Sequence, residues 1–481
     1  MQSLPRLRTL SLLHHKPPKS LSHLKQIHAQ LLTNGLRSPS ILAKLIECCS
    51  ALSTPQSTDH AHLVFTHSSD SDVYLLNVLI RCISPKDSIL VFANWVSKLG
   101  PAFDERTYVF ALGACARSCT ESALWEGNQV HGRVIKHGFL SSIMLQTTAI
   151  HFYGSNKDVG SARKVFDEML VRNSVTWNAM IKAYCSQKAS IGGREHARNA
   201  LVLFKDMLVD AYGAKPTDKT MVCVLSAAAQ LGVLQTGSCV HGNVEKTIYG
   251  PEDDVFLGTG LVDMYSKCGC LESALYVFRR MKEKNVLTWT AMVTGLAING
   301  KGKQALELLE AMEAEDVKPN SVTFTSLFSA CCHAGLVEEG LCLFTLMENK
   351  FGITPLMQHY GCVVDLLGRT GQLQEAYKFI EDMGVEPDPV LWKSLLNACN
   401  IHGDVVMGEK VGKMLLQLQS KQKSVVGLAD LCEDYIALSN VYAAAERWED
   451  VEMVRDLMKV KGIRTKPGSS SVRSSYSHLL I

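Results

Sequence analysis

At 481 residues the chain is longer than one ordinary hydrophobic core serves, so it holds either several domains or an extended array. Its 47% hydrophobic and 20% charged content is that of a folded chain, and no run reaches the roughly 18–20 consecutive apolar residues that a membrane span needs. Forty-nine basic against 47 acidic residues leave a net charge of +2, which argues against an indiscriminate binder of polyanions.

The first element in the chain is compositional. From Met1 to Ile46 there is no Asp or Glu, while Arg6, Arg8, Lys16, Lys19, Lys25, Arg37 and Lys44 are all positive. An acid-free start such as MQSLPRLRTLSLLHH, bearing Arg, Ser and Leu, has the make-up of an organellar transit peptide; a disordered basic tail is the other reading. This segment is placed at residues 1–23, because LKQIHAQLL from Leu24 already carries a helical pattern. Arg6 and Arg8 in a Leu-rich start point to the mitochondrion, with the chloroplast as the alternative.

Next comes internal repetition. NSVTWNAMIKAY at 173–184 returns as NVLTWTAMVTGL at 285–296, and LQTTAIHFYG at 145–154 returns as LGTGLVDMYS at 257–266, both displaced by 112 positions. TYVFALGACA (107–116), TMVCVLSAAA (220–229) and TFTSLFSACC (323–332) form a third series. Each opening segment is followed by a second apolar stripe, as in ARKVFDEM (162–169), ALVLFKDM (200–207), ALYVFRRM (274–281), ALELLEAM (305–312) and AYKFIEDM (376–383). Apolar residues at i, i+3, i+4 and i+7, such as Ala162, Val165, Phe166 and Met169, line one side of a helix. Turn-forming stretches such as SKCGC and INGKGK separate the halves, so the unit is helix, turn, helix.

A single hairpin of this kind cannot bury both faces and is stable only by stacking on its neighbours. The anchors give units at 143–173, 174–217, 218–254, 255–285, 286–320, 321–356 and 357–388, with 39–72, 73–104 and 105–142 upstream fitting less cleanly. KASIGGREHARN in the 174 unit reads as a loop insertion. Three unit types alternate in fixed order, so the 112-residue displacement spans three units.

Sixteen cysteines raise the question of metal, but no C-x-x-C occurs and no histidine is followed two residues later by Glu. Cys115, Cys268, Cys270, Cys331, Cys332 and Cys399 fall inside apolar helical patterns and read as small buried thiols of a reducing compartment. Asp, Glu and His read as solvated helix-face residues. No metal site, cofactor or catalytic residue is expected.

SVTWNAMI, SARKVFDEM, VDMYSKCG, VKPNSVTFTSLFSACCHAGLVEEG and HYGCVVDLLGRTGQLQEAYKFIEDM together resemble the plant pentatricopeptide repeat proteins. The alternating unit lengths are similar to those of their PLS subclass. Tetratricopeptide repeats, with a constant 34 residues and a W-x-x-L-G-x-x-Y start, do not match. EPDPVLWKSLLNACNIHGD (386–404) and YIALSNVYAAAERWEDVEMVRDLMKVKGIRTKPG (435–468) look like the E motifs that follow the last repeat in editing factors, although the join at SKQKSVVGLADLCED is longer than usual. The resemblance implies an all-α fold, a right-handed superhelical solenoid of stacked helix-turn-helix repeats. It divides the chain into a repeat array at 24–388, E motifs at 389–468 and a short tail at 469–481. The H-x-E and P-C-x-x-C of the family's DYW deaminases are absent from these 481 residues. The resemblance therefore implies a non-enzymatic factor that binds single-stranded organellar RNA and brings a DYW-type deaminase or other editing factors in trans through the E motifs. RNA binding in stability, splicing or translation is the alternative, and a peptide-binding scaffold a third reading.

In such proteins one base per repeat is read by two or three side chains. By resemblance the reader pairs are Asn77 with Asp104, Thr147 with Asn173, Asn178 with Thr217, Thr259 with Asn285, and Thr290 with Asn320. Thr with Asn favours adenine, Asn with Asp favours uracil, and the uncommon Asn178 with Thr217 reads pyrimidine. Val109, Val222 and Thr325 occupy the first position in the middle unit type and imply little selectivity. Asn173, Asn285 and Asn320 also read as plain helix caps, and Val175 and Leu287 as either ring-packing or core residues.

Overall fold

The computed structural model describes residues 18, 20–52, 54–68, 72–99, 103–118, 120, 122–187, 193–210, 213–247, 254–421 and 428–463, and every regular element among them is helical. The transit-peptide reading lies almost wholly outside these residues, as do the tail at 469–481, part of the 188–199 insertion and part of the join before the last hairpin. Leu21–Thr33 opens the described fold, capped by Ser20 and so starting three residues before Leu24. Its His28 Nδ1 lies 3.2 Å from His60 Nε2.

Hairpins follow in sequence. First helices run over Pro39–Ala51, Val73–Cys82, Glu105–Arg117, Ile143–Ser155, Ser174–Cys185 and Asp218–Leu231 in one compact unit, Met1–Leu231. In the second unit, Gly232–Ile481, they run over Val255–Lys267, Val286–Ile298, Ser321–Ala334, Met357–Arg369, Pro389–His402 and Leu428–Ala444. Each first helix is followed by a second helix, such as Val159–Glu168 or Leu271–Arg280. Within each unit, successive first helices pack directly on one another, and second helices such as Val159–Glu168 and Leu271–Arg280 pack between their own first helix and the next.

The same chemistry builds both units. Trp177 meets Phe166 edge to face with centroids 5.0 Å apart, and Trp289 meets Phe278 at the same 5.0 Å. Both indoles are buried, so each seals the joint between one hairpin's second helix and the next hairpin's first helix. Close approach of first helices requires a missing side chain: a Cβ on Gly154 would lie 2.6 Å from the Ala183 Cβ, and one on Gly295 would collide with Ser266. The first helices also start on caps. Asn173 Oδ1 accepts from the Thr176 N–H at 2.9 Å, Asn285 Oδ1 from Leu287 and Thr288 at 3.0 Å, and Asn320 Oδ1 from Thr323 at 2.9 Å; each such cap stabilises its helix by about 1 kcal/mol.

Three expectations are corrected. Cys268 and Cys270 flank Gly269, which turns the chain at φ +80°, and so sit in a turn rather than inside a helix. Histidine is not confined to solvated faces: His28, His60 and His359 are buried, and burial pushes all three imidazoles below their usual pKa. Asp434 is likewise buried, ion-paired with Lys393 at 2.9 Å. No described helix is long and apolar enough to cross a membrane.

Candidate nucleic-acid interface

Five first helices carry the expected polar reader at their fifth position, Asn77, Thr147, Asn178, Thr259 and Thr290, and each is followed by its partner residue just before the next first helix. The structure brings every such pair together, in two ways. Two pairs touch directly: Asn77 Nδ2 donates to Asp104 Oδ1 at 3.0 Å, and Asn178 Nδ2 donates to Thr217 Oγ1 at 3.0 Å. Three are joined through a buried threonine at the third position of the next helix. Thr147 Oγ1 lies 2.9 Å from Thr176 Oγ1, which donates to Asn173 Oδ1 at 3.0 Å. Thr259 reaches Asn285 through Thr288 at 2.7 and 3.2 Å, and Thr290 reaches Asn320 through Thr323 at 2.7 and 3.1 Å.

The bridging threonines are the functional residues that sequence reasoning missed. Thr107, Thr176, Thr220, Thr288 and Thr323 are all fully buried, each three residues after the cap. In the two direct pairs they still take part: Thr107 Oγ1 donates to Asp104 Oδ1 at 2.8 Å, and Thr220 Oγ1 donates to Asn178 Oδ1 at 2.5 Å. Their signal was the recurring cap-x-x-Thr of DERT, NSVT, TDKT, NVLT and NSVT. At 357 the pattern changes. His359 fills the threonine's place, accepting from the Leu356 N–H through Nδ1 at 2.8 Å and hence donating from Nε2 to the Ser321 carbonyl at 3.0 Å.

Capping decides what the pair can offer a ligand. An Asn whose Oδ1 holds backbone N–H groups must turn its Nδ2 away from the helix, so Asn173, Asn285 and Asn320 present amide donors. Asp104 Oδ1 accepts from Asn77, from the Thr107 N–H and from the Thr107 hydroxyl, which leaves Oδ2 as an outward acceptor. Burial alone would raise the Asp104 pKa; the hydrogen bonds from Asn77 and Thr107, with the charge of Arg106, outweigh it and hold the carboxyl below its usual value. The cap and reader interpretations of these residues thus coexist in one side chain.

Asn77 is buried, and its Oδ1 has no hydrogen-bond partner among the described residues. It opens on a cavity of about 300 Å³ lined in part by Tyr74, Arg81, Asp104 and Arg106. Leaving such an acceptor unsatisfied costs about 1–3 kcal/mol, which a donor entering the cavity would recover. The neighbouring second residues of the first helices are apolar and exposed, Val175 at 63% and Leu287 at 55%. They are therefore free to pack against a flat ring and are not part of the inter-repeat core. Val109 and Val222 are half-buried at the fifth position, and Thr325, like Thr259 and Thr290, donates its hydroxyl to the carbonyl four residues back, the Ser321 carbonyl at 3.0 Å.

Comparison with known proteins places these features in a group. Models of the PPR repeat match residues 147–174, 175–189, 259–286, 322–350 and 359–386, a PPR repeat family model matches 284–333, and an E motif model matches 402–473. The Arabidopsis thaliana pentatricopeptide repeat-containing protein At3g18970 is 53% identical over 472 residues, covering 97% of this chain and 99% of its own. The chloroplastic pentatricopeptide repeat-containing protein CRR2 of the same plant is 35% identical over 454 residues, covering 93% of this chain and 66% of its own. Among solved structures, the pentatricopeptide repeat protein PPR10 in complex with an 18-nucleotide psaJ RNA element superposes with a TM-score of 0.68 at 16% identity, covering 94% of this chain and 66% of that one.

Proposed function

This chain belongs to the pentatricopeptide repeat family, and on that premise we propose that it is a sequence-specific, single-stranded RNA-binding protein that selects a cytidine for C-to-U editing in an organelle and recruits a deaminase in trans. The observation that carries the RNA reading is the fivefold recurrence of one hydrogen-bonded pair, direct in two repeats and bridged by threonine in three, in which the position is kept and the atoms offered to a ligand change. Asn with Asp offers an acceptor, Thr with Asn an amide donor, and Asn178 with Thr217 a mixed face. A peptide groove has no need of such a series.

Along the chain the pairs give the weak preference U, any, A, pyrimidine, any, A, A, with the RNA running 5′ to 3′. Val175, Leu287 and their counterparts pack against the ring of a bound base. The E motif match supports recruitment through residues 389–468, where Lys393–Asp434 and Arg447–Glu409 ion pairs tie the last two hairpins together. The organelle is the mitochondrion, on Arg6 and Arg8 in an acid-free start, with the chloroplast as alternative.

Organellar RNA sequencing of a loss-of-function line against its parent tests this. Loss of editing at one or a few sites whose upstream bases follow the stated preference supports it. Normal editing everywhere, with one transcript altered in abundance or splicing, replaces it with RNA binding in transcript stability, splicing or translation.

A further inference from the structure

The 112-residue duplication contains its own control. Residues 143–187 and 255–299 share their framework, yet they differ in one pocket. In the first copy a cavity of about 160 Å³ is lined by His151, Ser155, Lys157, Lys182, Ser186 and Gln187, together with small residues, and by no carboxylate. The corresponding residues of the second copy are Asp263, Lys267, Gly269, Thr294, Ile298 and Asn299. There Lys267 is held by Asp263 at 2.7 Å; no ion pair holds Lys182 or Lys157 among the described residues.

We propose that the His151–Lys182–Lys157 pocket is a phosphate site that grips one phosphodiester of the RNA backbone. This inference rests on the RNA-binding reading above and adds a fixed anchoring point to it. Three observations support it. The lining carries two ammonium groups, an imidazole and the Ser155 hydroxyl, a donor set that a phosphate's oxygens accept from, while the Ser186 hydroxyl donates to the Ala183 carbonyl at 2.9 Å. Lys157 stands at φ +64°, a left-handed conformation that disfavours a side chain, while the second copy uses glycine there at φ +80°. The first copy thus tolerates local strain to keep a cation at that turn. Finally, burial pushes the His151 imidazole below its usual pKa, and the like charges of Lys182 and Arg117 add to the shift, so positive charge converges on this ring. Lys182 lies one helical turn beyond Asn178 on the same helix, so the pocket sits beside a base-reading pair, as a backbone contact must.

The test uses the full chain and a single-stranded RNA carrying the preferred bases, titrated by fluorescence anisotropy over a range of salt. Each phosphate contact to a single strand contributes about −0.7 to the slope of log K against log salt. H151D/K182T, which installs the second copy's residues, is expected to bind about tenfold more weakly with a slope shallower by about 0.7, while its base preference is unchanged. K182Q, a substitution of an exposed side chain, gives the same direction with less risk to the fold, and circular dichroism checks both. D263H/T294K is expected to steepen the slope by a similar amount. Unchanged affinity and slope in folded H151D/K182T, with base preference intact, overturns the phosphate site and leaves the RNA reading standing. If the wild-type chain binds no RNA at any salt, the functional reading falls with it. Thermal stabilisation of wild type but not H151D/K182T by inorganic phosphate, with RNA affinity and salt slope equal in the two proteins, would also overturn the proposal, by assigning the pocket to a free anion.

Discussion

Residues 143–187 and 255–299 are two renderings of one passage, and what they keep differs in kind from what they change. They keep the Trp–Phe joint, the Asn cap and the buried threonine bridge, while the glycine of the close helix approach changes sides, Gly154 facing Ala183 in one copy and Gly295 facing Ser266 in the other. On the surface they change His151 to Asp263, Lys182 to Thr294 and Lys157 to Gly269, and at the reading position a half-buried Asn178 to a buried Thr290. The contrast teaches that in a stacked array the joints and caps between hairpins are held, while the core around them is refilled, as in Phe152 to Met264 and Tyr184 to Leu296, and the reading and surface residues change in chemistry.

The first way to break this comparison is through the shared joint. Trp177→Ala and Trp289→Ala should each cost about 3–5 kcal/mol, read by urea unfolding of the full chain; a large inequality between them would show that the two joints are not equivalent. Next, Thr288→Val removes a bridging hydroxyl that is fully buried. It should cost about 1 kcal/mol in stability and reduce discrimination for adenine at that repeat, measured with RNAs differing at one base. Exchanging the readers sharpens the comparison: Asn178→Thr with Thr217→Asn should convert the first copy's preference from pyrimidine to adenine by about tenfold, or roughly 1.4 kcal/mol, with stability unchanged. The smallest effect is the most diagnostic. Lys157→Gly should stabilise the fold by about 0.5–1 kcal/mol by relieving the left-handed backbone, yet weaken RNA binding, a pairing of signs that a purely structural lysine would not give.

The helical array was legible because its evidence is local and periodic: apolar stripes, turn glycines and wording repeated at a fixed displacement. Positions such as Asn178 and Thr290 were legible too, because they vary inside a repeated frame. The bridging threonines were visible in NSVT and NVLT but looked like ordinary first-turn residues; only the fold shows that each belongs to two hairpins at once. The buried His28–His60 pair and the His151–Lys182 pocket were not legible. Their members come from different helices, 32 and 31 residues apart, and nothing in sequence spacing marks which outward faces converge. Cys268 and Cys270 misled because a thiol is apolar enough to pass for a core residue while sitting in a turn.

The threonine bridge also says where such a chain can be cut and rejoined. A reading pair spans the boundary between hairpins, since Thr147 depends on Asn173, the last residue of its own unit and the cap of the next helix, and on Thr176 of the following unit. A crossover in the connection before Asn173 would hand an incoming hairpin a cap and bridge chosen for another residue. A crossover just after Thr176 would carry the whole recognition device across intact. The heritable module is therefore one hairpin plus the first turn of the next, and a recombinant array joined at that seam should keep its readers matched.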